Sequence, residues 1–135
     1  ISEPQGVVAI ASSDSFLEFI DAIAAAVVSG NTSVVLVPGG LAVPAMSFAE
    51  VLATSDLPAG VINILTGTLD ELAPWAASHM DIDALDISGL PAKLHSEVKV
   101  AGAENLKRIH AFKSADPGRI IAFMEAKTVW HPIGL

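Results

Sequence analysis

The segment Ser55–Gly67 reads SDLPAGVINILTG, and its interpretation decides the fold. Leu57-Pro58-Ala59-Gly60 is a turn: proline fixes one backbone angle and glycine accepts conformations that other residues avoid. The run from Val61 to Leu65 that follows is almost wholly apolar and stops at Thr66-Gly67. A short apolar run bounded by turn residues predicts a strand buried on both faces, as in a parallel sheet. Parallel strands need long crossovers, and the flanking sequence supplies them. Upstream, PAMSFAEVLATS predicts a helix with Pro44 in its first turn. Downstream, Asp70–Ser78 predicts another, with Asp70 and Glu71 at the end where the helix dipole favours acids.

The same alternation extends in both directions. Gly6–Ala11 (GVVAIA) predicts a first strand, and Ser15-Phe16-Leu17-Glu18 has the form of a capping box opening a helix to about Ser29. Gly30-Asn31 stops that helix, Ser33–Val37 predicts the second strand, and Leu85–Ile87 the fourth. The order β-α-β-α-β-α-β implies an α/β fold of three layers, a mainly parallel Rossmann-like sheet with helices on both faces. Ligands in such sheets bind at the carboxyl ends of the strands, here near Ser12, Pro38, Gly67 and Gly89. Beyond Gly89 the pattern loosens. Val98–Ala101 and Leu106–Phe112 are expected as strands, Asp116 to about Glu125 as a helix capped by Asp116 with Pro117 in its first turn, and Lys127–His131 as a terminal strand.

Composition narrows the classes of function. The 135 residues amount to one domain, 52% of them hydrophobic, with mean hydropathy +0.58. The longest apolar run, Ala22–Val28, falls far short of the roughly 20 residues a membrane span needs, so no membrane association is expected. The apolar excess instead suits a sheet covered on both faces or a subunit interface. With no cysteine, a disulfide framework, a thiolate zinc site and a thiol nucleophile are excluded. No signal peptide is visible, and the start at Ile1 leads us to expect that something upstream was removed or left out. Residues 1–92 carry eleven acids and no lysine or arginine, a charge of −11, whereas residues 93–135 carry seven bases and four acids, +3. Nucleic-acid binding needs cations against phosphate, so that class is discounted. The two segments have opposite charge and could attract one another within or between subunits; a solvated acidic surface is the plainer reading.

Individual motifs add little chemistry. Gly39-Gly40 after a strand could cradle phosphate, but no complete glycine-rich phosphate motif is present and a turn accounts for the pair. No two of His79, His95, His110 and His131 stand three or four apart, so no helical metal site is expected; His79 reads as a surface or helix-capping residue. No G-x-S-x-G elbow occurs to support a serine triad. Trp130 in KTVWHP reads as an interface or core residue on a terminal strand rather than a ligand platform.

The motifs EPQGVVAI, IAAAVVSGNTSVVLVP, PAMSFAEVLATSDLPAGVINILTG and AASHMDIDALDISG, in this order from Pro4 to Gly89, resemble the cofactor-binding domain of the aldehyde dehydrogenase superfamily. The tail FMEAKTVWHPIGL resembles that family's C-terminus, a strand that joins subunits. The resemblance divides the chain into a Rossmann-like core (residues 1–90), a divergent connection in place of the catalytic domain (91–118), and a C-terminal helix and strand (119–135). It implies NAD binding through Pro38, Gly67, Ser88 and Gly89. It also shows departures. No cysteine is present for the nucleophile, so no thiohemiacetal can form. Asp14 stands where the family has an oxyanion-steadying asparagine, and a carboxylate there repels the charge it should stabilise. Val37 and Gly40 replace the ribose-holding lysine and glutamate, Leu90 a pyrophosphate-contacting serine, and Ala73 a glycine; Lys99 loosely matches the glutamate base.

Three functions follow as expectations. The first is a non-catalytic domain in the cytoplasm, acting in assembly or regulation with itself or with an active homologue and having no catalytic and no metal-binding residues. The second is the NAD-binding part of an NAD(P)-dependent aldehyde dehydrogenase whose catalytic portion is absent from this chain. The third is a sensor that binds NAD without turnover.

Overall fold

The computed structural model describes residues 1–133. Its sheet is built around β2 (Val7–Ala11), the strand expected at Gly6–Ala11. After α1 (Phe16–Val28) the chain lays β3 (Thr32–Val37) parallel to β2, and after α2 (Ala42–Ala53) it lays β4 (Ile62–Thr66) parallel to β3. It then reverses. α3 (Leu69–Ser78) carries it back across to β5 (Ala84–Asp86) on the other side of β2, and α4 (Ala92–Glu104) leads to β6 (Arg108–His110) at the far edge. The strand order is β4-β3-β2-β5-β6, all parallel. Because crossovers of this kind share one hand, reversing the direction of travel puts α3 and α4 on the opposite face from α1 and α2.

Successive strand residues point to opposite faces, so each apolar strand feeds two cores. Val8, Ile10, Val35 and Val37 pack with Phe19, Ile23 and Ala26 of α1, while Ala9, Ala11 and Leu36 pack with Ala73, Ala77 and Val98 from α3 and α4. The excess of apolar residues is explained in part by this doubly covered sheet.

Local signals mostly behave as expected. Ser15 caps α1, its hydroxyl accepting from the Glu18 N–H at 3.4 Å; the Glu18 carboxylate turns to the Ser13 hydroxyl instead of closing the box. Pro44 lies in the first turn of α2, which begins two residues earlier than expected after a 3-10 turn at Gly39–Leu41.

Three expectations are corrected. Val98–Ala101 is not a strand but the middle of α4, whose buried residues Leu94, Val98 and Gly102 recur every four residues along one helical face. The helix expected over Asp116–Glu125 is confined to α5 (Gly118–Ala122), because Phe123 turns into the core and the chain then pairs elsewhere. The terminal strand is β7 (Met124–Ala126) rather than Lys127–His131; it runs antiparallel to β1 (Ser2–Pro4), with Ser2 opposite Ala126. Residues 127–133 have no regular secondary structure.

Candidate functional site

The chain reverses between β2 and β5, so the carboxyl ends of these strands diverge into the crevice where such sheets take ligands. Two adjoining spaces open there. The larger, about 290 Å³, runs along the sheet edge between Ser12-Ser13-Asp14, Pro38-Gly39, Gly67–Asp70, Gly89 and Pro91. The smaller, about 60 Å³, lies over the ends of β2 and β5 and reaches Asp86, Ser88, Phe112 and Arg119.

Of the four residues expected to touch a cofactor, Pro38, Gly67 and Gly89 line the larger space, and Ser88 and Gly89 line the smaller. Each has a structural reason to be what it is. Pro38 accepts the Leu41 N–H through its carbonyl and starts the 3-10 turn. The Gly67 N–H donates to the Val37 carbonyl at 3.0 Å, ending the β3–β4 ladder. At Gly89 a Cβ would lie 2.1 Å from the Ser13 nitrogen and 2.6 Å from the Ala11 carbonyl oxygen, so only glycine lets β5 turn against the end of β2. The Ser88 hydroxyl is already committed: it donates to the Asp86 carboxylate and accepts from the Phe112 N–H at 2.8 Å.

The departures from the resemblance lie where they matter. Val37 is fully buried in the core on the α1 face, and Ala73 and Leu90 belong to the core on the α3–α4 face. Asp14 projects over the 3-10 turn, with its Oδ1 2.9 Å from where a Cβ on Gly40 would be. Lys99 is exposed in mid α4. Asp14 and Asp70 both line the larger groove, and among its described lining residues none is lysine or arginine. The positive end of α3 faces its own Asp70 and Glu71, and Lys93 at the start of α4 is ion-paired to Asp70. A dinucleotide's pyrophosphate brings two negative charges and would meet carboxylates here. The residues present therefore do not fit NAD well.

The sequence reading missed the buried charges. Asp86 is 1% exposed and Arg119 3%. Arg119 Nη1 donates to Asp21 Oδ2 on α1 at 2.7 Å, its Nε is 2.9 Å from Asp86 Oδ2, and its guanidinium lies 5.2 Å from the centre of the Phe112 ring. The Nε–Asp86 approach is an ion pair whose alignment falls short of a hydrogen bond. Burial pushes the Asp86 carboxyl above its ordinary pKa, against the lowering pull of the Ser88 hydroxyl and the Arg119 charge. The one visible signal was an aspartate inside the apolar run ALDIS. Its partner lies 33 residues on, beyond any spacing rule. Lys107 is similar: burial lowers its pKa, and its ammonium donates to the His79 and Ile82 carbonyls.

Comparison with known proteins agrees with this architecture. A sequence profile described as the aldehyde dehydrogenase family matches residues 1–115. The chain belongs to the aldehyde dehydrogenase family. The match takes in α4 and β6, so family likeness continues past Gly89. Aldehyde dehydrogenase family 2 member C4 of Arabidopsis thaliana is 31% identical over 111 residues, 81% of this chain and 22% of that protein. Aldehyde dehydrogenase, cytosolic 1, of Rattus norvegicus is 32% identical over 91 residues, 67% of this chain and 18% of that protein. This aldehyde dehydrogenase family chain thus spans about a fifth of the length of the curated relatives it matches. Among solved structures, an aldehyde dehydrogenase from Bartonella henselae superposes with TM-score 0.74 over 80% of this chain and 23% of its own, at 23% identity, a likeness of fold. A mutant aldehyde dehydrogenase C from Pseudomonas syringae, complexed with NAD+ and octanal, superposes with TM-score 0.67 over 80% of this chain and 22% of its own, at 29% identity.

Proposed function

We propose that this chain is a non-catalytic aldehyde dehydrogenase domain that acts in assembly or regulation, with copies of itself or with an active homologue. The observation that supports this reading is the carboxyl-edge groove: the sheet that frames it is preserved, but the groove presents an unpaired Asp14 and an Asp70 already paired to Lys93, its described lining includes no lysine or arginine, and the sequence has no cysteine. No thiolate is available to attack a carbonyl, and no group in the groove compensates a pyrophosphate. We place the protein in the cytoplasm, in keeping with the name of the rat relative; no helix among the described residues is long and apolar enough to cross a membrane.

Isothermal titration with NAD and NADH, run beside an aldehyde oxidation assay on the same preparation, tests this reading. We expect no heat of binding at millimolar ligand and no reduction of NAD. Saturable micromolar binding would replace it with the second reading, in which the domain is the NAD-binding part of an aldehyde dehydrogenase working through Pro38, Gly67, Ser88 and Gly89. That reading draws on the Pseudomonas syringae relative, whose structure was solved with NAD+. Binding without turnover would instead fit a sensor.

A further inference from the structure

The sheet ends at β4, and among the described residues no backbone group pairs with its outer edge. The ladder with β3 fixes which groups are left over. The Ser33 N–H donates to the Val61 carbonyl and the Gly67 N–H to the Val37 carbonyl, so Asn63 and Leu65, in phase with residues 61 and 67, turn their backbone groups toward β3. Alternation along the strand then turns the N–H and C=O of Ile62, Ile64 and Thr66 outward. Edge strands are ordinarily blunted by charge, proline or a bulge. INILT contains neither charge nor proline, and its register with β3 is unbroken over five residues.

An apolar groove flanks this edge on each face of the sheet. On the α2 face a space of about 350 Å³ lies between Met46 and Leu52 of α2, Leu57 of the turn, and Ile62 and Ile64. On the α3 face a space of about 440 Å³ lies between Val34, Leu36 and Leu65 of the sheet and Leu72 and Trp75 of α3. Trp75 is 73% exposed and Leu65 47%. Acids border both grooves. Glu50 shares a helical face with Met46 and Ala53, Asp56 precedes Leu57, and Glu71 stands one turn before Trp75. All three are exposed, and none is ion-paired among the described residues. Asp81 also lines the second groove, with the Lys107 charge near enough to offset it. No lysine or arginine occurs before residue 93.

We infer that β4 is an acceptor edge for a strand of a partner protein, an extended segment that is apolar at successive positions and flanked by lysine or arginine. A chain bonded to Ile62, Ile64 and Thr66 runs between the two grooves and sends alternate side chains into each, so both of its faces must be apolar. Its flanking cations meet Glu50, Asp56 and Glu71. A second copy does not meet this description, because pairing β4 with β4 brings together two acid-bordered surfaces without a base between them. A small apolar molecule fills one groove and makes no use of the edge. The inference names a surface and a kind of partner for the assembly reading and rests on it; the two fail separately, this one through a peptide and that one through the coenzyme.

The probe is the synthetic peptide Lys-Lys-Val-Ile-Val-Leu-Val-Lys-Lys, titrated into the full chain while amide exchange is followed residue by residue. In the free protein the Ile62, Ile64 and Thr66 amides should exchange quickly and those of Asn63 and Leu65 slowly. The peptide should bind and slow the first three. Peptides with glutamate flanks, or N-methylated through the apolar run, should bind at least tenfold more weakly. Thr66→Pro takes away one outward N–H and no bond to β3, and Leu65→Lys leaves the backbone as it is and puts a cation on the groove wall; each should weaken binding at least tenfold. No binding at millimolar peptide would overturn the inference, as would binding that leaves the three amides unprotected or that survives N-methylation. Protection of the three amides that grows with protein concentration in the absence of peptide would overturn it in favour of a second copy.

Discussion

Arg119 is held on three sides, by Asp21, Asp86 and the face of Phe112, and it joins the last helix to the sheet. Removing it leaves the buried Asp86 charge without its ion-pair partner, held by the Ser88 hydroxyl and the Ser88 N–H. Arg119→Met should therefore cost about 3 kcal/mol of stability at pH 7, read from urea denaturation. Adding Asp86→Asn, which takes away the stranded charge, should recover most of that loss. The pH dependence follows from the sign of the shift. The folded-state pKa of Asp86 is raised by burial, so its carboxylate opposes folding at neutral pH and the penalty lifts as pH falls through the folded-state pKa. The deficit of Arg119→Met relative to the parent should accordingly shrink in acid; a gap that widens on acidification would refute this account.

Among the elements, the strands were the most legible. VVAIA, TSVVLV and INILT are dense in branched apolar residues and bounded by turns, and they lie within a residue or two of where the sequence puts them. The misreadings have physical causes. Val98-Lys99-Val100-Ala101 alternates like a strand, but the partners of Val98 are Leu94 and Gly102 at helical spacing, and Val100 faces solvent. β7 was displaced because its partner is β1, about 120 residues earlier, and no local pattern announces such pairing. At the site, the groove and its glycines could be read from the strand ends, whereas the Asp86–Arg119 pair could not, being created by the packing of distant segments. The same distance explains Asn31, whose Oδ1 accepts from the Gly6 N–H and whose Nδ2 donates to the Phe123 carbonyl, each at 2.8 Å. Asn31→Ala leaves the partly buried Gly6 N–H without its partner, at about 1–3 kcal/mol, and leaves the Phe123 carbonyl with the Gln5 N–H, 3.1 Å away, in place of two donors. Amide hydrogen exchange should then accelerate more in residues 123–126 than in β2 and β3; a uniform acceleration would show that Asn31 does not pin the C-terminal ribbon.

For the whole molecule, the question is whether a chain about a fifth as long as its curated relatives behaves as one unit. Its two cores share the central strands, and the segment after β6 is fastened at both ends of the sheet, by Arg119 at the carboxyl end and by Asn31 at the amino end. Thermal unfolding should accordingly be a single transition, coincident by near- and far-ultraviolet circular dichroism, with an enthalpy of about 90 kcal/mol near 60 °C. Two separated transitions would mean that the C-terminal segment is an appendage.

The β1–β7 ribbon has a topological consequence. The Ile1 ammonium donates to the Lys127 carbonyl at 2.9 Å, and the Lys127 N–H returns a bond to the Ile1 carbonyl at 2.7 Å. Residues 1 and 127 are therefore already neighbours, and a linker of a few residues, taking the place of residues 128–135, could weld them into a circle without disturbing a strand. The circle could be reopened at the exposed turn around Ala59-Gly60, giving a permuted polypeptide with the same five-stranded sheet.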